Sequence, residues 1–194
     1  MKKIGIIVSG YRKKNTYALV ESYKKGAEEA GHEVKELFLK SFDLRPCTGC
    51  ESCYTTGKCV IKDEMHNFYD LIDESDILVL ASPIYFYMFT SDMKLLFDRA
   101  QPYWSMKDAA GGKQEKKKEL IYISTNGQPY QIDAYHATFK PIRMFCGSIL
   151  AKYKGNYLVS NTDRNPVKER TDLLEEIFEI GKSSENLISF EKHY

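Results

Sequence analysis

The chain has 194 residues, 43% hydrophobic and 28% charged, with 28 basic against 27 acidic side chains and a formal net charge of +1. That composition excludes a disordered tail protein, and the balanced charge excludes a general nucleic-acid or membrane-surface binder. No apolar run approaches the roughly 20 residues of a membrane span, and the opening MKKIGIIV enters a strand-like run without a secretory cleavage region, so a cytoplasmic protein is expected.

In chain order, KIGIIV over 3–8 is a short apolar run of the kind a buried parallel strand needs. Leu19, Tyr23, Ala27 and Ala30 share one face of a helix over 16–30, and Gly31 is a natural stop. Residues 33–39 read as a second strand, followed by a cysteine-rich loop at 46–60. Met65, Phe68, Leu71 and Ile72 mark a short helix, and DILVLA over 76–81 is the clearest buried strand. Met93, Leu96, Phe97 and Ala100 give a third helix, and 107–118 reads as a polar, solvated loop. A fourth strand over 120–124 and a helix over 134–145 follow, with Pro141 expected to kink that helix or start it. A fifth strand over 153–160 and a last helix carrying Leu173, Ile177 and Ile180 complete the pattern. Strands alternating with helices predict one α/β domain over 1–194 with a doubly wound open sheet. In such sheets ligands sit beyond the carboxyl ends of the strands, so chemistry is sought in the loops after strands one, three and four.

The first of those loops is SGYRKKNT, residues 9–16. It has neither three spaced glycines nor the ending of a P-loop. Its hydroxyls, its amide, Arg12 and a helix N-terminus suit a phosphate. A capped helix, with Asn15 or Thr16 as N-cap and the basic residues solvated, is an equal reading. SPIYF at 82–86 offers a rigid, flat, apolar wall suited to a planar ring system, where core packing is the alternative. Its continuation YMF has no clean period, which leaves part of it exposed for a ligand or partner. STNG at 124–127 adds a glycine for close backbone approach and polar groups near it, although alone it is a turn signal.

Four of the five cysteines fall in CTGCESCYTTGKC, at 47, 50, 53 and 59. Clustered thiols in a reducing compartment are metal ligands or redox groups more often than disulfides. The two short gaps let three thiolates wrap one small centre, and a turn at Gly57 returns the fourth. Bacterial ferredoxin runs begin with the same two gaps. A four-cysteine zinc site usually takes two separated pairs, and bare thiols are a further alternative. Cys146 reads as a buried small hydrophobe. Asp98 and Arg99 read as helix-end contacts, the four histidines as dispersed, and Tyr103 and Trp104 as a subunit interface.

With SGYRKKNT, the cysteine run, SPIYFYMFTSDMKLLFDR and STNG taken together, the chain resembles the flavodoxin-like NAD(P)H-dependent FMN reductases. Within them it looks most like the iron–sulfur flavoprotein branch. The resemblance implies a flavodoxin-like five-stranded parallel sheet in order 2-1-3-4-5, with helices on both faces and one FMN at the switch point. It implies that Ser9, Arg12, Asn15 and Thr16 hold the phosphate. It also implies that Pro83, Ile84, Tyr85 and Phe86 line the ring, and that Thr125, Asn126 and Gly127 close its far side. Cys47, Cys50, Cys53 and Cys59 would bind a [4Fe–4S] cluster. Gly10-Tyr11 departs from the more serine-rich opening of many relatives. The expected protein is an FMN-dependent oxidoreductase in which no side-chain acid, base or nucleophile is required. It reduces small acceptors or exchanges electrons with ferredoxin-like partners, with NAD(P)H a candidate donor, and it forms a homodimer or homotetramer. Two alternatives are a cluster-free NAD(P)H-dependent reductase of quinones, nitro compounds or flavin, and a thiol or zinc redox sensor on the same scaffold.

Overall fold

The computed structural model describes residues 1–111, 118–131, 133–184 and 190–194. Strands β1 (Lys3–Val8), β2 (Glu33–Phe38), β3 (Ile77–Tyr85), β5 (Lys118–Thr125), β6 (Ala151–Val159) and β7 (Phe190–His193) form a parallel sheet. The short strand β4 (Met88–Phe89) turns back antiparallel on the end of β3. The order is β2-β1-β3-β5-β6-β7. The first five positions are the flavodoxin-like order expected from the sequence. The sheet differs in two additions, β7 at its edge and the β4 hairpin.

Helices α1 (Asn15–Glu29), α2 (Ser52–Thr56), α3 (His66–Glu74), α4 (Ser91–Asp98), α5 (Gln101–Ala109), α6 (Asp133–Ser148) and α7 (Thr171–Lys182) occupy the connections. The expected third helix is α4; the chain breaks at Arg99 and Ala100, and a further helix that the pattern does not mark, α5, follows with Pro102 in its first turn. Proline is tolerated there because its missing N–H has no partner in a first turn. The supposed solvated loop over 107–118 starts inside α5 and ends in β5, and 112–117 lie outside the described residues. Helix α6 runs through Pro141, and Cys146 is buried on it.

Alternation along the strands builds two apolar layers. Ile77, Val79 and Ala81 of β3 join Leu19, Tyr23 and Ile177 on the α1 and α7 face. Leu78 and Leu80 join Phe68, Leu96 and Phe145 on the face of α3, α4 and α6. Helices α1 and α7 approach so closely that their backbones touch. A Cβ on Gly26 would strike the Phe178 carbonyl oxygen, and one on Gly181 would strike that of Tyr23. This contact fixes α1, and therefore the direction in which its N-terminus points. Among the described residues no helix is long and apolar enough to cross a membrane.

Candidate functional site

The carboxyl ends of β1, β3, β5 and β6 surround a cleft of about 540 Å³, within the usual range for small-molecule and cofactor sites. Ser9, Arg12, Asn15, Thr16, Pro83, Ile84, Tyr85, Thr125 and Gly127 line it. Gly10 has φ +103°, and a Cβ there would lie 3.2 Å from the Pro83 ring. Glycine at this point therefore gives the first loop its course beside the wall. Helix α1 starts after Lys14 with no side-chain cap, so neither Asn15 nor Thr16 is the N-cap. Its first-turn residues Asn15 and Thr16 line the cleft together with Arg12, Lys13 and Lys14, and a helix N-terminus among basic side chains suits an anion.

Several expected donors are engaged elsewhere. The Ser9 hydroxyl donates to the Ala81 carbonyl at 3.3 Å. The Asn15 amide donates to the Thr162 carbonyl and its oxygen accepts from the Val167 N–H, at 3.3 and 3.1 Å. The Thr16 and Thr125 hydroxyls bond each other at 2.7 Å. These side chains act as struts that tie the loop tips together, which leaves backbone N–H groups and the basic side chains for an anion. The loop after β6 contributes Thr162, Asp163, Pro166 and Lys168. Sequence reasoning missed it because these are ordinary loop residues; its place beyond a strand end was the available signal. Asp163 packs against Gly127 so closely that a Cβ there would meet its carboxylate.

Phe86 and Asn126 do not line the cleft. The Asn126 side chain caps its own turn, accepting from the Gln128 N–H at 3.2 Å. SPIYF is mostly strand, because β3 continues to Tyr85 and turns through Phe86 and Tyr87 into β4. Both turn residues have positive φ, 50° and 61°, as a two-residue primed hairpin requires. Asparagine and glycine usually fill such positions; other residues there cost about 1 kcal/mol or more each. The strained turn presents Phe86 fully to solvent and leaves Tyr85, which lines the cleft, and its neighbour Tyr87 half-exposed.

A second cavity, of about 340 Å³, is lined by Cys47, Cys50, Cys53 and Cys59, and it shares no lining residue with the cleft. Gly49 and Gly57 have φ +66° and +69°, so a left-handed turn follows Cys47 and another precedes Cys59. Gly57 closes α2, its N–H bonding the Cys53 carbonyl at 2.9 Å. Hydrogen bonds from the Ser52 N–H, then from the Ser52 and Thr48 hydroxyls, pull the Cys50 thiol down, whereas burial and then the neighbouring thiols push Cys53 up. Among the described residues no three His, Cys, Asp or Glu side chains stand close enough to hold one metal ion. An all-thiol set spread around a cavity fits a multi-iron cluster better, since each iron takes its own thiolate and the ligands surround a volume instead of a point.

The base of the cysteine loop is clasped. Arg99 donates to Asp63 at 2.6 and 3.0 Å and to the Arg45 carbonyl at 2.7 Å. Asp63 also accepts from the Arg45 N–H at 2.9 Å. Burial would raise the Asp63 carboxyl, but the hydrogen bonds from Arg99, Arg45 and Met65 outweigh it and bring it down to about 2. Arg99 therefore makes the ion pair expected of it, but across 36 residues; Asp98 pairs with Lys94 one turn back. From α5, the Ser105 hydroxyl donates to the Cys53 carbonyl at 2.9 Å. Tyr103 packs inward, donating to Asp73 at 3.0 Å, while Trp104 stays 37% exposed beside Pro141 and Met144.

The family model described as NADPH-dependent FMN reductase matches residues 1–153. An iron–sulfur flavoprotein of Archaeoglobus fulgidus is 32% identical over 138 residues, 70% of this chain and 60% of that protein. An iron–sulfur flavoprotein of Methanocaldococcus jannaschii is 34% identical over 115 residues, 58% of this chain and 60% of that one. The match thus spans 60% of the length of these relatives. Among solved structures, an NAD(P)H:quinone oxidoreductase from Methanothermobacter marburgensis superposes with TM-score 0.73 at 13% identity, covering 95% of this chain and 97% of that one. An azoreductase from Bacillus anthracis gives 0.70 at 16% identity, covering 94% and 100%. These two are likenesses of fold. With four strand-end loops around a cleft and a family model covering most of its length, the chain belongs to the NADPH-dependent FMN reductase family, a family of flavin-dependent oxidoreductases.

Proposed function

We propose that the chain binds FMN in the sheet-edge cleft and acts as an FMN-dependent oxidoreductase on small acceptors, with residues 1–194 working as one domain. The observation that carries this reading is the convergence on one cleft of an uncapped helix N-terminus and a flat Pro83–Tyr85 wall. Backbone N–H groups of the first loop and of α1, with Arg12 and Lys168, hold the phosphate. Pro83, Ile84 and Tyr85 orient the ring, and Thr125 and Gly127 bound its other side. Bound FMN supplies hydride and single-electron chemistry, so no side chain of the cleft has to act as acid, base or nucleophile. The Phe86–Tyr87 tip offers an acceptor or a second subunit an aromatic surface at the cleft mouth.

Cys47, Cys50, Cys53 and Cys59 would hold a [4Fe–4S] cluster, which supplies one-electron transfer when bound. The two cavities share no wall, which favours exchange across a subunit boundary in a homodimer or homotetramer, with a ferredoxin-like partner at the cysteine side. The exposed thiols of Cys47 and Cys50 suit a reducing cytoplasm. The family description favours NADPH as donor, and with it a second reading, a cluster-free reductase of quinones, nitro compounds or flavin.

Titration of flavin-free protein with FMN, followed by fluorescence, tests the central reading. Wild type should quench the flavin. Gly10→Val should bind at least about a hundredfold more weakly with an unchanged circular dichroism spectrum, since it sets a branched side chain at positive φ against Pro83. A wild-type protein that ignores FMN, or a valine variant that binds it equally well, refutes the cleft as the site. Anaerobic iron, sulfide and zinc analysis alongside NADPH oxidation separates the cluster-bearing, cluster-free and zinc-sensor readings.

A further inference from the structure

The Arg99 side chain is 1% exposed, and Arg99 is among the residues that line the four-cysteine cavity. Two of its nitrogens are engaged with Asp63 and the Arg45 carbonyl. Its Nε is buried and is the one guanidinium nitrogen without a partner. Buried N–H groups are nearly always satisfied, so an idle one beside a cavity marks a place for an acceptor. Asp63 cannot serve it. Its carboxylate is held by the Arg45 and Met65 N–H groups as well as by the far edge of the guanidinium. The Tyr69 hydroxyl donates to the Arg99 carbonyl at 2.7 Å and pins the backbone; it also lies beside the Arg99 guanidinium and the Cys59 thiol, without meeting Nε at hydrogen-bond geometry. A clasp for the loop would need only the bonds to Asp63 and Arg45.

We propose that Arg99 tunes the group held by the four cysteines: its Nε–H donates to a sulfur of that group, and its cation, locked in place by Asp63, favours the reduced state. This rests on the iron–sulfur reading above. Reduction adds one electron and no atoms, so the site gains one negative charge, and both a cation and a hydrogen bond to sulfur stabilise the more negative form. Dithionite supplies the electron in the test.

Wild type, Arg99→Lys and Arg99→Gln are loaded anaerobically with ferrous iron and sulfide, and iron, sulfide and FMN contents are measured. Midpoint potentials then come from dithionite titration, with electron paramagnetic resonance of the reduced samples. The lysine variant keeps the cation but loses Nε–H. It is expected to load equal iron, to give a changed resonance signal, and to shift the reduction equilibrium at least threefold toward the oxidised form. The glutamine variant loses both features, and its shift should be tenfold or more, about 59 mV for one electron. FMN content is the control for folding, and if the glutamine variant does not fold, the lysine variant carries the test. Equal iron with unchanged midpoints overturns the role of Arg99 and leaves the iron–sulfur reading standing. A wild type that takes up no iron overturns both.

Discussion

The cleft and the four-cysteine cavity are held in different ways. The cleft stands on the sheet. Its loops leave the ends of buried strands, and struts from Asn15, Thr16 and Thr125 join one tip to the next. The cysteine cavity lies between the α4–α5 junction and a stretch whose one helix, α2, buries no residue. Its hold on the core comes through the Asp63–Arg99 clasp and the bond from Ser105. The contrast teaches that the cleft is shaped by folding, whereas the cysteine loop is anchored only at its base, so the proposed cluster would set its final shape.

The largest effect should come from the clasp. Asp63→Asn leaves a buried guanidinium without its counter-ion and should cost about 3 kcal/mol in urea denaturation; a loss below about 1 kcal/mol would mean that the loop is held otherwise. The same pair sets an acid limb. The Asp63 carboxyl sits at about 2 when folded against 3.8 otherwise. Its contribution, roughly 2 kcal/mol, is therefore present above pH 4 and lost as pH falls toward 2, a limb the asparagine variant should flatten.

Gly26→Val probes the cleft's foundation. Its side chain meets the Phe178 carbonyl and the Lys182 backbone nitrogen of α7, so unfolding free energy should drop by up to about 3 kcal/mol, with FMN affinity falling as α1 shifts. A stable variant with intact binding would show that α7 does not set α1. Thr16→Val removes one half of the hydroxyl strut and should cost about 1 kcal/mol, measurable as a small fall in melting temperature. The smallest effect completes the contrast. Replacing Cys47, Cys50, Cys53 and Cys59 together by Ser should move the stability of metal-free protein by no more than about 0.5 kcal/mol. A large loss there would make the loop a part of the folding core.

Strands β1, β3 and β5 were legible because they carry apolar runs, and the cleft followed from where such strands end. Ser9, Pro83 and Thr125 meet at one edge for that reason alone. The hairpin was not legible, since Phe-Tyr carries none of the usual signals for positive φ. Strand β7, FEKH, is short and polar, so no apolar pattern marks it. Helix α5 went unmarked because its short sequence, QPYWSMKDA, mixes polar residues and a proline among its apolar ones, and that proline, Pro102, is a first-turn residue in the structure. The clasp was invisible for a different reason. Nothing local in Asp63 or Arg99 says that they will meet, and only the folded topology brings them together.

The Phe86–Tyr87 turn has one more implication. Asparagine followed by glycine would suit that backbone better, so the chain forgoes a kilocalorie or two of robustness to keep two aromatic rings on display. Folding gives little return for this choice: Phe86 is fully exposed, and Tyr87 gains one hydrogen bond, donating to Gln131 at 3.3 Å. The acceptor or second subunit proposed above would be the beneficiary, and a thermostabilised version with the turn relaxed should trade that guest for a sturdier host.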